Sequence, residues 1–174
     1  MTTYAEARNQ IESGDHIAIC GTDFKGKVIA IGQRWARLEH PTAKHCGIAY
    51  WENNRLMLAQ INGTGNNSVY LSQYADHALI VSNCPITFDR GNLDTLLENH
   101  LPYYFLGLVL AGVRLFFSRW FEFCRVGSPS FSKLVCSTFA AKFYQDSGWR
   151  TLVPKYVAPA EMVAALETKF KITP

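Results

Sequence analysis

The chain has no Cys-x-x-Cys pair, although five of its 174 residues are cysteine: Cys20, Cys46, Cys84, Cys124 and Cys136. The odd count and scattered spacing argue against a disulfide framework, and the missing short spacing removes the common zinc and dithiol redox motifs. Free thiols point to a reducing compartment. Charge is also sparse, with 18% charged residues and a net charge of +3. No basic arm or aromatic-interleaved basic stripe accompanies that excess, so no nucleic-acid partner is expected. The opening MTTYAEARNQIESGD lacks the apolar core of a secretory signal. The expectation is a cytoplasmic protein, with a phage-encoded or virion-associated one left open. The acceptor patterns at Asn62 and Asn66 therefore carry no weight. The uncharged run Leu101–Val113 is thirteen residues long, below the ~20 that cross a bilayer as a helix. Internal repeats and low-complexity tracts are absent.

Hydrophobic residues make up 48% of the chain and aromatic ones 13%, which suits a heavily packed interior or an apolar groove. The length fits a single domain over 1–174. Residues 2–13 read as a short helix: Thr3 and Glu6 have capping-box spacing, and Gly14 stops it. Alternation over Asp15–Cys20, Lys44–Trp51 and Arg55–Ile61 predicts strands, with Val69–Leu71 and Ala78–Ser82 as two more. Glu52-Asn53-Asn54 turns the second into the third, and Gly63 and Gly65 make a loop. Residues 26–38 read as a helix with Val28, Ile31, Trp35 and Leu38 facing the core. A helix capped by Asp89 or Asn92 covers 89–99, and another covers Ala160–Lys169. The fold class is α+β, an antiparallel sheet of about five strands packed against helices.

Phe131–Trp149 predicts one further helix, with Ser130 or Ser132 as cap and Gly148 as its end. Val135, Phe139 and Phe143 form its core stripe. Cys136 falls in the first turn, where unpaired N–H groups and the positive end of the dipole favour a thiolate and can stabilise an oxyanion. On the Lys44–Trp51 strand, His45 shares a face with Gly47, Ala49 and Trp51, opposite Cys46, Ile48 and Tyr50. Gly47 leaves room in front of the sheet beside His45 and is a candidate substrate-binding position. Cys136 as nucleophile and His45 as base make a cysteine–histidine pair. Gln60, on the neighbouring strand, can orient the imidazole. Cys20, Cys46, Cys84 and Cys124 read as buried small hydrophobes. His16, His40, His77 and His100 read as surface or loop residues. Lys25, Lys27, Arg34, Arg37 and Lys44 form a basic run that reads as a solvated helix face, or as a field drawing an anionic substrate.

Four short motifs in order resemble the circularly permuted NlpC/P60 group of papain-like cysteine hydrolases, which includes the YiiX-type and lecithin:retinol acyltransferase-type proteins. They are Gly14-Asp15, Lys44-His45-Cys46-Gly47-Ile48-Ala49-Tyr50, Val135-Cys136-Ser137-Thr138-Phe139 and Ala158-Pro159-Ala160-Glu161-Met162. His45 precedes Cys136 by 91 residues, the permuted order, and the resemblance spans roughly 13–165. It implies a permuted papain-like fold, Cys136 as nucleophile and His45 as base. It puts Gln60 where relatives often carry a glutamate, and Tyr103 or Tyr104 where they carry an aromatic near the substrate. No metal and no organic cofactor is implied.

The expected activity is hydrolysis of an amide through an acyl-enzyme, with a cell-wall peptide as one substrate class. An acyl lipid, handled by a hydrolase, acyltransferase or thioesterase, is the alternative. It draws on the apolar segment 101–123, which reads as a buried helix or as a peripheral membrane contact. A non-catalytic virion, effector or membrane-associated module that keeps the fold is the rival of another class.

Overall fold

Alternating residues 43–62 fold as the centre of a six-stranded antiparallel sheet. The structure is a computed structural model that describes residues 2–21, 24–99, 101–104, 113, 115, 134–151 and 157–174, with backbone alone at 24–26 and 28. The strands are β1 (His16–Cys20), β2 (Ala43–Glu52), β3 (Arg55–Asn62), β4 (Gly65–Tyr70), β5 (Leu79–Ser82) and β6 (Thr168–Ile172), in the order β4-β3-β2-β1-β5-β6. The β2–β3 hairpin turns on Asn53 and Asn54, both at positive φ (48° and 60°). Such mirror-image turns match strand twist, and asparagine tolerates the left-handed region. Five helices are described: α1 (Tyr4–Ala7), α2 (Phe24–Trp35), α3 (Arg90–Glu98), α4 (Cys136–Asp146) and α5 (Pro159–Ala165).

The sheet is buried on both faces. On one, Cys46, Ile48, Tyr50, Ala59 and Ile61 pack against α3, α4 and α5 through Leu93, Phe139, Phe143 and Met162. On the other, Ile17, Ile19, Ala49, Leu58 and Leu79 are covered by Ala7, Ile11 and Leu71. Full burial of a side chain such as Phe139 contributes on the order of 1.5–3 kcal/mol. The face of His45 is therefore no more open than that of Cys46.

Several expectations shift. The last helix stops at Ala165 and β6 follows, so the sheet has six strands rather than five. Main-chain pairing with β5 overrides helical periodicity there. Residues 65–70 pair with β3, and Leu71–Tyr74 form a 3-10 turn instead of ending a strand. Residues 8–10 are likewise a 3-10 turn, so the first helix is short. The α2 stripe faces the other way: Ala30 and Gln33 are buried, whereas Ile31 is 67% and Trp35 45% exposed. Leu38 is partly buried against the core, and the Val28 side chain lies outside the described residues. Buried Gln33 explains the rotation. Its amide N–H groups donate to the Pro41 and Ala43 carbonyls at 2.7 and 2.8 Å, and its carbonyl accepts from Ala160 N–H at 3.1 Å. Three backbone groups, one in the turn before β2, one in β2 and one in α5, hold that face inward.

His16 is not a surface residue; it is fully buried on β1. Most of 101–123, together with His100 and Cys124, lies outside the described residues. Among those described, no helix is long and apolar enough to cross a membrane.

Candidate active site

The nucleophile helix begins at Cys136, not near residue 131. Leu134 is extended and bridges to Tyr103, and Tyr104 N–H donates to Leu134 O at 2.9 Å. Val135 is the cap residue in extended conformation. The Thr138 hydroxyl accepts the Val135 N–H at 2.8 Å and donates back to Val135 O at 2.9 Å. Cys136 thus occupies the first helical position, where its own N–H has no intrahelical acceptor. Phe139, Ala140 and Phe143 are fully buried and anchor α4 against the sheet. The Ser137 hydroxyl donates to Val157 O, and Gly148 at φ +101° ends the segment.

His45 lies near the start of β2, opposite Ile19 of β1. Ala49 exchanges 2.8 Å backbone hydrogen bonds with Gly14 and Asp15 on the β1 side. Backbone groups alternate direction along a strand, so Cys46 turns its N–H towards β3. The β2–β3 register ends at Ile48–Ala59, and the Cys46 N–H donates instead to the Cys136 sulfur. The first turn of α4 therefore meets β2 where β3 has let it go. At this opening Cys136 is hydrogen-bonded to both His45 and the Cys46 thiol.

His45 Nε2 lies 2.6 Å from Gln60 Oε1. The Tyr74 hydroxyl donates to the same oxygen at 3.0 Å, and the Gln60 amide nitrogen donates to Asn67 Oδ1 at 3.2 Å. This network fixes the amide: Oε1 accepts, so His45 Nε2 carries the donating hydrogen. The other ring nitrogen remains to exchange a proton with Cys136. Tyr74 also flanks the imidazole, with ring centroids 6.5 Å apart.

Electrostatics follow from these contacts. The hydrogen bond from Cys46 contributes most to holding the Cys136 thiol well below the ordinary range. Burial opposes it, while the charge and hydrogen bond of His45 and the Cys46 N–H reinforce it. For His45, burial is the largest influence and acts downward. The Cys136 charge, its hydrogen bond and the Gln60 hydrogen bond together outweigh burial and Lys44, so the imidazole is raised. Burial and the neighbouring thiolate push Cys46 well up. It stays a neutral donor, and the charged form belongs to Cys136. Burial also raises Tyr103, followed by the Cys136 and Cys46 charges, which puts a neutral phenol beside the nucleophile.

Cys136, His45 and Gln60 thus come together, with Tyr103 at their edge, while Tyr104 contributes its N–H to the Leu134 contact. The space in front of Gly47 is not open. A Cβ there would stand 2.5 Å from Ala59 O and 2.9 Å from Leu58 Cδ1, so glycine lets the strands approach. Cys46 and Tyr74 were missed as site residues. Cys46 follows the histidine directly, but only the end of the β2–β3 register turns it towards Cys136. Nothing in the sequence singles out Tyr74. The Gly14-Asp15 motif sits away from the chemistry and acts as a latch. Gly14 O accepts from Tyr144 Oη at 2.8 Å, and the Asp15 carboxylate accepts from Glu12 N–H at 2.9 Å and from Lys169 Nζ at 3.3 Å.

No family model matches the sequence, and no curated protein matches it. Among solved structures the chain is similar to the metalloprotein YiiX of Escherichia coli O157:H7, DUF1105. The TM-score is 0.61 at 16% identity, covering 95% of this chain and 99% of that one. The fold is therefore that of YiiX. The description of that relative as a metalloprotein raises the question of a metal here. Among the described residues, no group of three or more His, Cys, Asp or Glu side chains is placed to hold an ion.

Proposed function

We propose that this chain is a cysteine hydrolase that cleaves an amide through an acyl-enzyme at Cys136. One observation carries the reading: a first-turn cysteine hydrogen-bonded to a histidine whose far nitrogen is held by a buried amide. The Cys136 thiolate attacks the carbonyl carbon, and the electron pair moves to oxygen. The Cys136 N–H and the helix dipole stabilise that oxyanion. The imidazolium of His45 gives its proton to the leaving amine, the C–N bond breaks, and a thioester remains on Cys136. His45 then takes a proton from water, hydroxide attacks the thioester, and acid and thiol are released. Gln60 keeps Nε2 occupied throughout, so the proton moves on the nitrogen facing Cys136.

The substrate reading is a peptide amide, with bacterial cell-wall stem peptides as the class to test first. Esters and thioesters of acyl lipids would follow the same steps. The test has two parts. Limiting iodoacetamide near pH 6 should label Cys136 selectively, and His45→Ala should abolish that selectivity. Hydrolysis of peptidoglycan fragments and acyl lipids is then compared for wild type and Cys136→Ala. Even, slow labelling of all five cysteines would favour the non-catalytic module, and unchanged turnover in Cys136→Ala would refute the nucleophile assignment.

A further inference from the structure

We propose that α2 is a docking face for an anionic lipid bilayer, separate from the Cys136 site. Two of the large apolar side chains exposed among the described residues, Ile31 (67%) and Trp35 (45%), lie on this one helix at spacing four. Lys27 precedes Ile31 by four residues, Arg34 lies beside it, and Arg37 follows just past the helix end; all three are exposed. The helix sequence FKGKVIAIGQRW contains no carboxylate; in the sequence Asp23 immediately precedes it and Glu39 follows its end by four residues. A third exposed apolar residue, Val113, lies two positions from Leu115, whose Cδ1 would be 3.9 Å from a Cβ on Gly32 of α2.

The orientation is fixed from below. Buried Gln33 and its three hydrogen bonds hold the opposite face of α2 against the sheet and α5, so Ile31 and Trp35 cannot rotate inward. Tryptophan favours the level of lipid headgroups, and an apolar pair ringed by lysine and arginine suits an interface rich in anionic phosphates. Beside the helix, Gly21, Lys27, Ala30, Ile31, Arg34 and Thr42 line a cleft of about 320 Å³. Its walls are almost entirely apolar, with the two cations belonging to its lining. A second copy of the chain fits less well. Two apolar side chains fall far short of the roughly 800 Å² a side of a stable interface, and two such basic helices would repel.

Flotation of the full chain with phosphatidylcholine vesicles, with and without 30 mol% phosphatidylglycerol, tests the proposal. Wild type should float only with the anionic vesicles, and less as salt rises. Ile31→Ser/Trp35→Ser and Lys27→Ala/Arg34→Ala should each weaken binding about tenfold or more, while Cys136→Ala binds as wild type. Circular dichroism and thermal melting of the variants report that they fold; the replaced side chains are exposed. Quenching by brominated lipids should fall in Trp35→Phe, although three other tryptophans remain. Failure of wild type to float at low salt would overturn the proposal. So would unchanged flotation of both double variants, or a dimer in sedimentation velocity that Ile31→Ser disrupts without any vesicle binding. None of these outcomes depends on Cys136 chemistry, so docking and hydrolysis fail separately.

Discussion

Gln60 Oε1 accepts from His45 Nε2 at 2.6 Å and from Tyr74 Oη at 3.0 Å, so one buried carbonyl oxygen sets the tautomer of the base. Gln60→Ala removes that acceptor and leaves the imidazole free to turn. The expected loss in kcat is about 10²-fold, in the range of positioned acid–base catalysis, with little change in KM. Gln60→Glu should keep the orientation and raise His45 further. The pH profile separates these effects. The reactive ion pair exists above the lowered value of Cys136 and below the raised value of His45. Activity therefore rises with pH through the first and falls through the second. Gln60→Glu should move the alkaline limb upward, and an unmoved limb would refute direct contact with the base.

Cys46 supplies two donors to Cys136, its thiol and its backbone N–H. Cys46→Ala removes the first and leaves the second. The pH at which Cys136 begins to alkylate should then rise, with labelling near pH 6 slowed several-fold, and Cys46→Ser should recover part of it. The buried hole costs on the order of 1 kcal/mol in denaturant unfolding. Equal alkylation profiles for wild type and Cys46→Ala would mean that the thiol plays no part.

His16 is fully buried, and neither ring nitrogen has a hydrogen-bond partner; the Oγ of Ser82, its cross-strand neighbour, has none either. Burial lowers its pKa from 6.5 to about 3. Because the folded value is the lower one, the unfolded chain binds more protons between those limits. This stability is complete above pH 6.5 and is lost as pH falls, by about 1.4 kcal/mol per unit towards pH 3. Urea midpoints for wild type and His16→Phe should diverge across that window, the variant losing less. Parallel curves would show that His16 is protonated in the native state.

Gly47→Ala would put a methyl group 2.5 Å from Ala59 O, on backbone that has little room to retreat. We expect a loss of roughly 1–3 kcal/mol from overpacking, and a fall in activity from displacement of His45 and Cys46. A stable variant with wild-type turnover would show that β2 and β3 can separate further.

The alternation of 44–51 and 55–61 carried the central hairpin, and the asparagines at 53 and 54 its turn, because both are local properties. The helix after Leu134 was legible, but its start was not. A bridge to Tyr103, 31 residues earlier, decides where the backbone stops being extended. The periodicity of α2 marked an apolar stripe, and Gln33 turned the helix so that much of this stripe faces outward. Thr168 and Lys169 read as the end of the last helix and instead begin β6, because β5 offers unpaired backbone groups.

The sequence by itself determined the α+β class, the order of histidine before cysteine, and the types of the groups that can meet. Residue spacing and side-chain chemistry are written in the chain. The tertiary structure decided that β3 leaves β2 after Ile48, which frees the Cys46 N–H and lets α4 bring Cys136 to His45. It also decided that Tyr74 and Asn67 fix Gln60, and that His16 is sealed in the sheet. Each depends on where one register ends and which distant backbone group remains unpaired, and no local run of residues encodes that.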